Sequence, residues 1–220
     1  RMDKLLSTNK ISGADIKNLV VKICSFHRQT NIIYKKNVLE MQQLFNDILT
    51  QENFLQKNLN CGGLITDAVH SSDKFLKQHH LLLEKRIIDG FVRDGHGDLH
   101  SRNIFLLPEP VPFDCIEFND GLRQIDVLNE IAFLCMDLEA LGRQDLADLF
   151  FIEYNKLFLI ARNEEEKRLF FYYKAYRANI RAKINSLRAK DATNENGKKE
   201  ALSVANKYLL LMQNYMAAAM

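Results

Sequence analysis

Apolar residues recur at helical spacing along most of the chain. Ile16, Leu19, Val20, Ile23 and Phe26 share one helix face, which predicts a helix over about 13–30. Ser12 precedes Asp15 at the spacing of a capping box, with Asp in place of the usual Glu or Gln. Leu44, Phe45, Ile48 and Leu49 predict a second helix over about 38–57, and a third covers about 65–90 with a bend expected near Ser71-Ser72. Helical texture returns over about 126–141, 144–161, 164–190 and 198–216, and Asn194-Glu195-Asn196-Gly197 reads as a turn before the last of these. The aromatic residues between Phe150 and Tyr176 fall at helical spacing and read as core, and His79-His80 as surface.

One segment breaks this texture. Residues 93–122 hold all three prolines together with Gly95, Gly97 and Gly121. Two β-like runs, Asn103–Leu107 and Pro112–Phe118, flank a proline-rich turn and predict a hairpin. The fold class expected is therefore α+β and predominantly helical, with one loop-and-hairpin insert. Loops held by a rigid scaffold are where chemistry concentrates.

Composition narrows the partners. The 220 residues are 47% hydrophobic and 26% charged with a net charge of +2, ordinary for a globular domain. Nothing in that balance calls for nucleic acid or an anionic membrane surface. No apolar run approaches the roughly 20 residues of a membrane-spanning helix. Cys24, Cys61, Cys115 and Cys135 lack the close pairing of a zinc site. They read as reduced packing residues, and the expected location is cytoplasmic.

The insert itself reads Arg93-Asp94-Gly95-His96-Gly97-Asp98-Leu99-His100-Ser101-Arg102-Asn103, then the turn, then Phe113-Asp114-Cys115-Ile116-Glu117-Phe118. Phosphoryl transfer needs a carboxylate to orient the acceptor hydroxyl and take its proton. It also needs hard oxygen ligands for the divalent metal on the nucleotide phosphates. Protein kinases meet both needs with an Asp, an Asn five residues on and a second acid on the following hairpin. Asp98, Asn103 and an acid near 114–117 repeat that layout.

The run His96-Gly97-Asp98-Leu99-His100 with Asn103 resembles the aminoglycoside phosphotransferase and choline kinase group. Phe113–Asn119, Ile125-Asp126-Val127, Ala132-Phe133-Leu134, Tyr173–Ala178 and Arg181-Ala182-Lys183 look like one uncharacterised bacterial branch of it. Some members of that branch carry a fused P-loop domain. The resemblance runs over about 1–190 and is strongest over 94–139. It implies the larger, C-terminal lobe of a protein kinase-like fold filling residues 1–220, with the catalytic loop at 93–103 and the metal-binding hairpin at 103–118. It implies that the amino-terminal ATP-gripping lobe is absent from these residues, so that the chain alone binds metal-nucleotide poorly and exposes apolar surface suited to a homodimer. The implied partners are a nucleotide, ATP or another nucleoside triphosphate with Mg²⁺, and a small-molecule acceptor.

Carried over by position, Asp98 is the catalytic base, His96 braces the loop, and Asn103 binds metal. His100 touches the acceptor or phosphate, or packs. Asp126 tethers the catalytic loop or simply caps a helix. The second metal acid is Asp114 or Glu117, which lie 11 and 14 residues after Asn103. The group's spacing falls between these, and the two-residue period of a strand favours Asp114. Two other classes compete: a pseudokinase-like binding module, and a metal-dependent phosphoester hydrolase using His96, Asp98 and His100. Lys174, Arg177, Arg181 and Arg188 fall near one helix stripe. They are either a wall for an anionic acceptor or phosphate, Arg177 and Arg181 foremost, or a solvated face partly neutralised by Glu164–Glu166.

Overall fold

The computed structural model describes residues 1–220 and is predominantly helical, with two small antiparallel sheets. The chain divides into two compact units, Arg1–Lys36 with Glu84–Phe170, and Asn37–Leu83 with Phe171–Met220.

The first unit opens with α1 (Met2–Ser7) and α2 (Gly13–Gln29). The capping box at the start of α2 is complete: the Ser12 side chain accepts from the Asp15 N–H, and the Asp15 carboxylate accepts from the Ser12 N–H at 2.8 Å. Strand β1 (Val92–Asp94) pairs antiparallel with β4 (Gln124–Asp126), Val92 opposite Asp126 and Asp94 opposite Gln124. The insert lies between these two strands and ends in the one-turn helix α7 (Asp120–Arg123). Its own hairpin, β2 (Ile104–Phe105) with β3 (Val111–Pro112), is short. It matches the expected place, whereas the β1–β4 pair was not read from the sequence, because three-residue strands carry too little alternation to register.

Helix α8 (Val127–Ala140) follows β4 and is buried almost all round. Its sequence is apolar on every face, as a central helix requires. It packs on α9 (Gln144–Leu157), which also packs on α2. The polar residues Asn129, Glu130 and Asp137 are buried with it.

A second polar cluster holds the unit together. Arg86, fully buried on α6 (His80–Ile88), donates from Nε and Nη2 to the Asp126 carboxylate at 2.5 and 2.9 Å. Its Nη1 donates to Glu166 at 2.9 Å and to the Ile160 carbonyl at 2.8 Å. The guanidinium lies over the Phe91 ring, 4.2 Å from its centroid. Burial alone would push the Glu166 carboxyl up, but hydrogen bonds from Arg162 and the charge of Arg86 hold it below its ordinary range. Glu166 therefore belongs to this cluster and is not the surface counter-charge that the sequence suggested.

The second unit comprises α3 (Glu40–Asn46), a 3-10 turn (Asp47–Gln51), α4 (Glu52–Leu59), α5 (Leu64–Gln78), most of α10 (Glu164–Lys190) and α11 (Glu195–Ala219). Phe75 stacks on Tyr172 at 4.4 Å, and Ser72 shares a hydrogen bond with the Tyr172 hydroxyl at 2.9 Å. That bond keeps Ser71-Ser72 inside α5, so the expected bend falls instead at His79, which is half-buried with its ring tilted against Phe75 at 4.2 Å. The single helix expected over 38–57 is broken by the 3-10 turn, where the Thr50 hydroxyl donates to the Asp47 carbonyl and competes with regular helix bonding. Asn194 caps α11 as its turn signal suggested. Cys24 and Cys135 are buried, but Cys115 is exposed and does not pack.

Breaking the Arg86 cluster should be costly, because the buried Asp126 and Glu166 carboxylates would lose the guanidinium they share. Arg86→Ala is expected to destabilise the protein by about 3–5 kcal/mol, measured by urea unfolding, whereas the surface change Lys85→Ala should fall within about 0.5 kcal/mol.

Candidate functional site

Helix α8 lies beneath the insert and presents acids at 126, 130 and 137. Spacings of four and seven put these on one face of a helix. Each receives backbone or side-chain donors at a defined point. Asp126 caps α8 by accepting from the Leu128 N–H at 2.8 Å and holds Arg86. The Glu130 Oε1 accepts from the backbone N–H groups of His96 and Gly97, both at 2.7 Å. Asp137 accepts from the Ser101 N–H at 2.9 Å. The motif segment is thus pinned along α8 by its main chain. The tether that the sequence assigned to Asp126 as one of two roles is made by Glu130, one turn later, while Asp126 serves the cap and the ion cluster.

The Glu130 carboxylate is almost wholly enclosed. Its second oxygen accepts from His27 Nε2 at 2.8 Å, and His27 Nδ1 meets the Tyr154 hydroxyl at 2.7 Å. Burial pushes the Glu130 carboxyl up, but the hydrogen bond and charge of His27 and the Gly97 N–H together hold it below its ordinary value. Burial also raises the Tyr154 phenol well above its usual value, so the hydroxyl keeps its proton.

The same carboxylate explains the first glycine of the motif. A Cβ on Gly95 would lie 2.2 Å from the Glu130 Oε2. Gly97 answers a different need: its φ is +81°, and a Cβ there would meet the Leu122 carbonyl and Ile116 at 3.0 Å.

Above this base the motif side chains converge. Asn103 Nδ2 donates to the Asp98 carbonyl at 3.1 Å and to its carboxylate at 3.0 Å. His100 Nδ1 accepts from the Arg102 N–H, which leaves Nε2 as the donor facing the Asp98 carboxylate at 3.4 Å. His96 Nδ1 accepts from the Asp98 N–H at 3.3 Å, and its Nε2 donates to the Phe113 carbonyl at 2.8 Å. Asp98 is 39% exposed while its neighbours His96, Leu99, His100 and Asn103 are buried. The structure therefore holds an anion at the surface of a rigid loop, aimed by two donors. Both ring nitrogens of each histidine are engaged, so neither turns a lone pair outward for a metal.

The hairpin brings the two further acids alongside. The Phe113 N–H donates to the Asn103 carbonyl at 3.0 Å, and the Ile116 N–H to the His96 carbonyl at 3.0 Å. Asp114 and Glu117 each follow one of these anchored residues. Strand pairing ends at Pro112, so the two-residue alternation used to choose between them does not extend that far. Backbone strain distinguishes them instead. Asp114 has φ +61°. The other non-glycine residues with positive φ, Asn9 and Asn60, close helix ends, but Asp114 has no such duty. Strain of this kind collects at functional positions.

Asp114 and His96 also line a cavity of about 590 Å³ in the first unit, walled by Ile23, Phe26, Leu99 and Phe113. Arg123 also lines it and donates to Asp94 at 2.7 Å and to Asp120 at 2.9 Å. Arg177 and Arg181 belong to α10 in the second unit, where both are buried and lie over the rings of Tyr176 and Tyr208. Lys174 is buried as well, so three of the four cations in this stripe are not the solvated face that charge stripes usually form.

Sequence reading missed Glu130, Asp137, His27 and Tyr154. A signal was present for the two acids, since they interrupt an otherwise apolar helix on one face. Nothing in the local sequence singles out His27 or Tyr154, which meet Glu130 across 103 residues and His27 across 127.

The chain is similar to an uncharacterized protein of Mycobacterium bovis and to uncharacterized proteins of two Mycobacterium tuberculosis strains, each 37% identical over 159 residues. The match covers 72% of this chain and 30% of each relative, so the chain spans less than a third of the curated relatives it matches. No family profile and no solved structure matches it.

Two measurements test the Glu130 arrangement. Because its folded value lies below the ordinary 4.5, its contribution to stability is complete above about pH 4.5 and is lost as pH falls through the folded value. The stability gap between wild type and Glu130→Gln should thus be widest near neutral pH and should close as the pH falls below about 4.5 in urea titrations. Separately, Gly95→Ala should cost about 1–3 kcal/mol by overpacking, and most of that cost should vanish in a Glu130→Ala background, read as a coupling energy in a double-mutant cycle.

Proposed function

We propose that the full protein containing this chain is a phosphotransferase that moves the terminal phosphoryl group of a nucleoside triphosphate to a hydroxyl of a small molecule. The observation that carries this reading is the Asp98 carboxylate, exposed on a rigid loop and held by Asn103 at 3.0 Å and His100 at 3.4 Å. The finer assignment of the helical architecture to a kinase-like C-terminal lobe, as the motif resemblance implies, is part of the same proposal.

In this reading Asp98 accepts a hydrogen bond from the acceptor hydroxyl and takes its proton as the bond to phosphorus forms. Asn103 and His100 keep the carboxylate anionic and fix its direction. Glu130 and Asp137 act one step back, holding the loop backbone so that Asp98 does not need to reorganise during the reaction. His96 links the loop to the hairpin through the Phe113 carbonyl.

The donor set fits a hard divalent cation. Asn103 spends its amide N–H₂ on Asp98, which leaves Oδ1 as its acceptor end, and Asp114 adds a carboxylate on the anchored hairpin. These two residues would hold Mg²⁺, which supplies charge neutralisation for the nucleotide phosphates. Asp114 is preferred to Glu117 on its strained backbone.

The test uses the full-length protein, a panel of hydroxyl-bearing metabolites and nucleotide turnover as readout. Asp98→Asn should lower turnover roughly 10²–10⁴-fold with an unchanged thermal melt. Asn103→Ala should raise the Mg²⁺ concentration needed for half-maximal rate, because one oxygen ligand is lost while the base remains. Wild-type turnover in Asp98→Asn would refute the assignment.

A further inference from the structure

We infer, resting on the metal role proposed above for Asn103 and Asp114, that Arg123 is a positioning residue of that site. Its guanidinium fastens the chain segment that follows Asp114 to the base of the motif loop, and so sets where the Asp114 carboxylate stands.

Asp114 has φ +61°, a conformation that a non-glycine residue keeps only where its surroundings impose it. On its N-terminal side the motif loop does so. The Phe113 N–H donates to the Asn103 carbonyl at 3.0 Å, and His96 Nε2 donates to the Phe113 carbonyl at 2.8 Å. On its C-terminal side the chain from Cys115 to Asn119 belongs to no strand or helix, and most of it is exposed. Ile116 is the anchor of this stretch. Its N–H donates to the His96 carbonyl at 3.0 Å, and its carbonyl accepts from Arg123 Nη1 at 3.3 Å.

Arg123 can serve as the fixed end because the rest of it is held. Its Nε donates to the Asp94 carboxylate at 2.7 Å, and its Nη2 to the Asp120 carboxylate at 2.9 Å. Asp94 ends β1 and Asp120 begins α7. One planar fork therefore ties the start of the motif segment to Ile116 and to Asp120, four residues further on. Bonds from a charged donor to a carboxylate are stronger than neutral ones, and a lysine has no fork with which to bridge three acceptors. The main chain of Arg123 is held as well. Its carbonyl accepts from the Gly95 N–H at 3.1 Å, one step beyond the β1–β4 ladder. Its Cα lies so close under the loop that a Cβ on Gly97 would stand 3.2 Å from it. Arg123 and Asp114 line the same cavity. Without the guanidinium, the stretch after Asp114 keeps its Ile116 N–H bond but loses its ties to Asp94 and the body.

The sign of the effect separates this role from simple electrostatics. Arg123 is a cation beside a proposed cation site, so on charge alone its removal tightens divalent binding. A positioning role demands the reverse, because residues that orient a metal ligand typically carry about 10–100-fold in affinity. The test titrates the full-length protein with Mn²⁺ alone and reads the bound ion by water-proton relaxation, well below the melting temperature of each variant. Arg123→Gln should weaken Mn²⁺ binding about 10–100-fold, and Asp114→Asn should weaken it at least as much. Arg123→Lys keeps the charge without the fork and should fall between Arg123→Gln and wild type. It carries the test if Arg123→Gln does not fold, and wild-type affinity in it would then overturn the inference. Unchanged or tighter binding in Arg123→Gln also overturns it, and leaves the metal site standing where Asp114→Asn still binds weakly. Wild-type affinity in Asp114→Asn instead refutes the metal reading itself, and the role of Arg123 with it.

Discussion

The motif loop depends on one buried carboxylate. Glu130 accepts two backbone N–H groups from His96 and Gly97 and a third donor from His27. Removing a charge from water costs several kcal/mol, and these three donors with the nearby positive charge offset that cost well enough to keep the group ionised. The consequence reaches the surface. With the His96 and Gly97 amides held from below, the Asp98 side chain two residues from His96 is left partly exposed. Gly95 is small because the carboxylate occupies the space where a side chain would stand.

The same logic extends along α8. A helix that is apolar on nearly every side still carries Asp126, Glu130 and Asp137 on one face, and each satisfies donors that would otherwise be buried unpaired. Asp126 connects this row to Arg86 and Glu166, so the start of α8 and the start of α10 share one ion cluster. The geometry of the motif loop and the stability of the first unit therefore rest on one helix.

Much of this was legible in the sequence. Helical periodicity placed α2, α8 and α10 nearly to the residue, and the insert stood out because prolines and glycines gather there. The spacing of Asp98 and Asn103 anticipated that they would meet. What escaped was of two kinds. The support under the loop is long-range: Glu130 meets His27 from 103 residues away, and a local pattern cannot report that. Alternation does not hold as a guide between Asp114 and Glu117, for a local reason. It applies only along a regular strand, and β3 ends at Pro112 with one further bond, from the Phe113 N–H to the Asn103 carbonyl. Beyond it the backbone leaves the strand, and the φ of Asp114 carries the information that alternation could not.

The pairing of β1 with β4 has a further meaning. Asp94 lies opposite Gln124, so everything between them is an excursion that leaves the body and returns to the point where it left. The entropy of closing such an excursion grows only with the logarithm of its length, about 0.6 kcal/mol for each doubling. Residues 95–103 are fastened to α8, but the tip around Leu107–Pro110 is bound only through two short strands. That tip is free to lengthen or shorten over evolutionary time at almost no cost to stability. Relatives could then reshape what approaches Asp98 while leaving the carboxylate and its supports untouched.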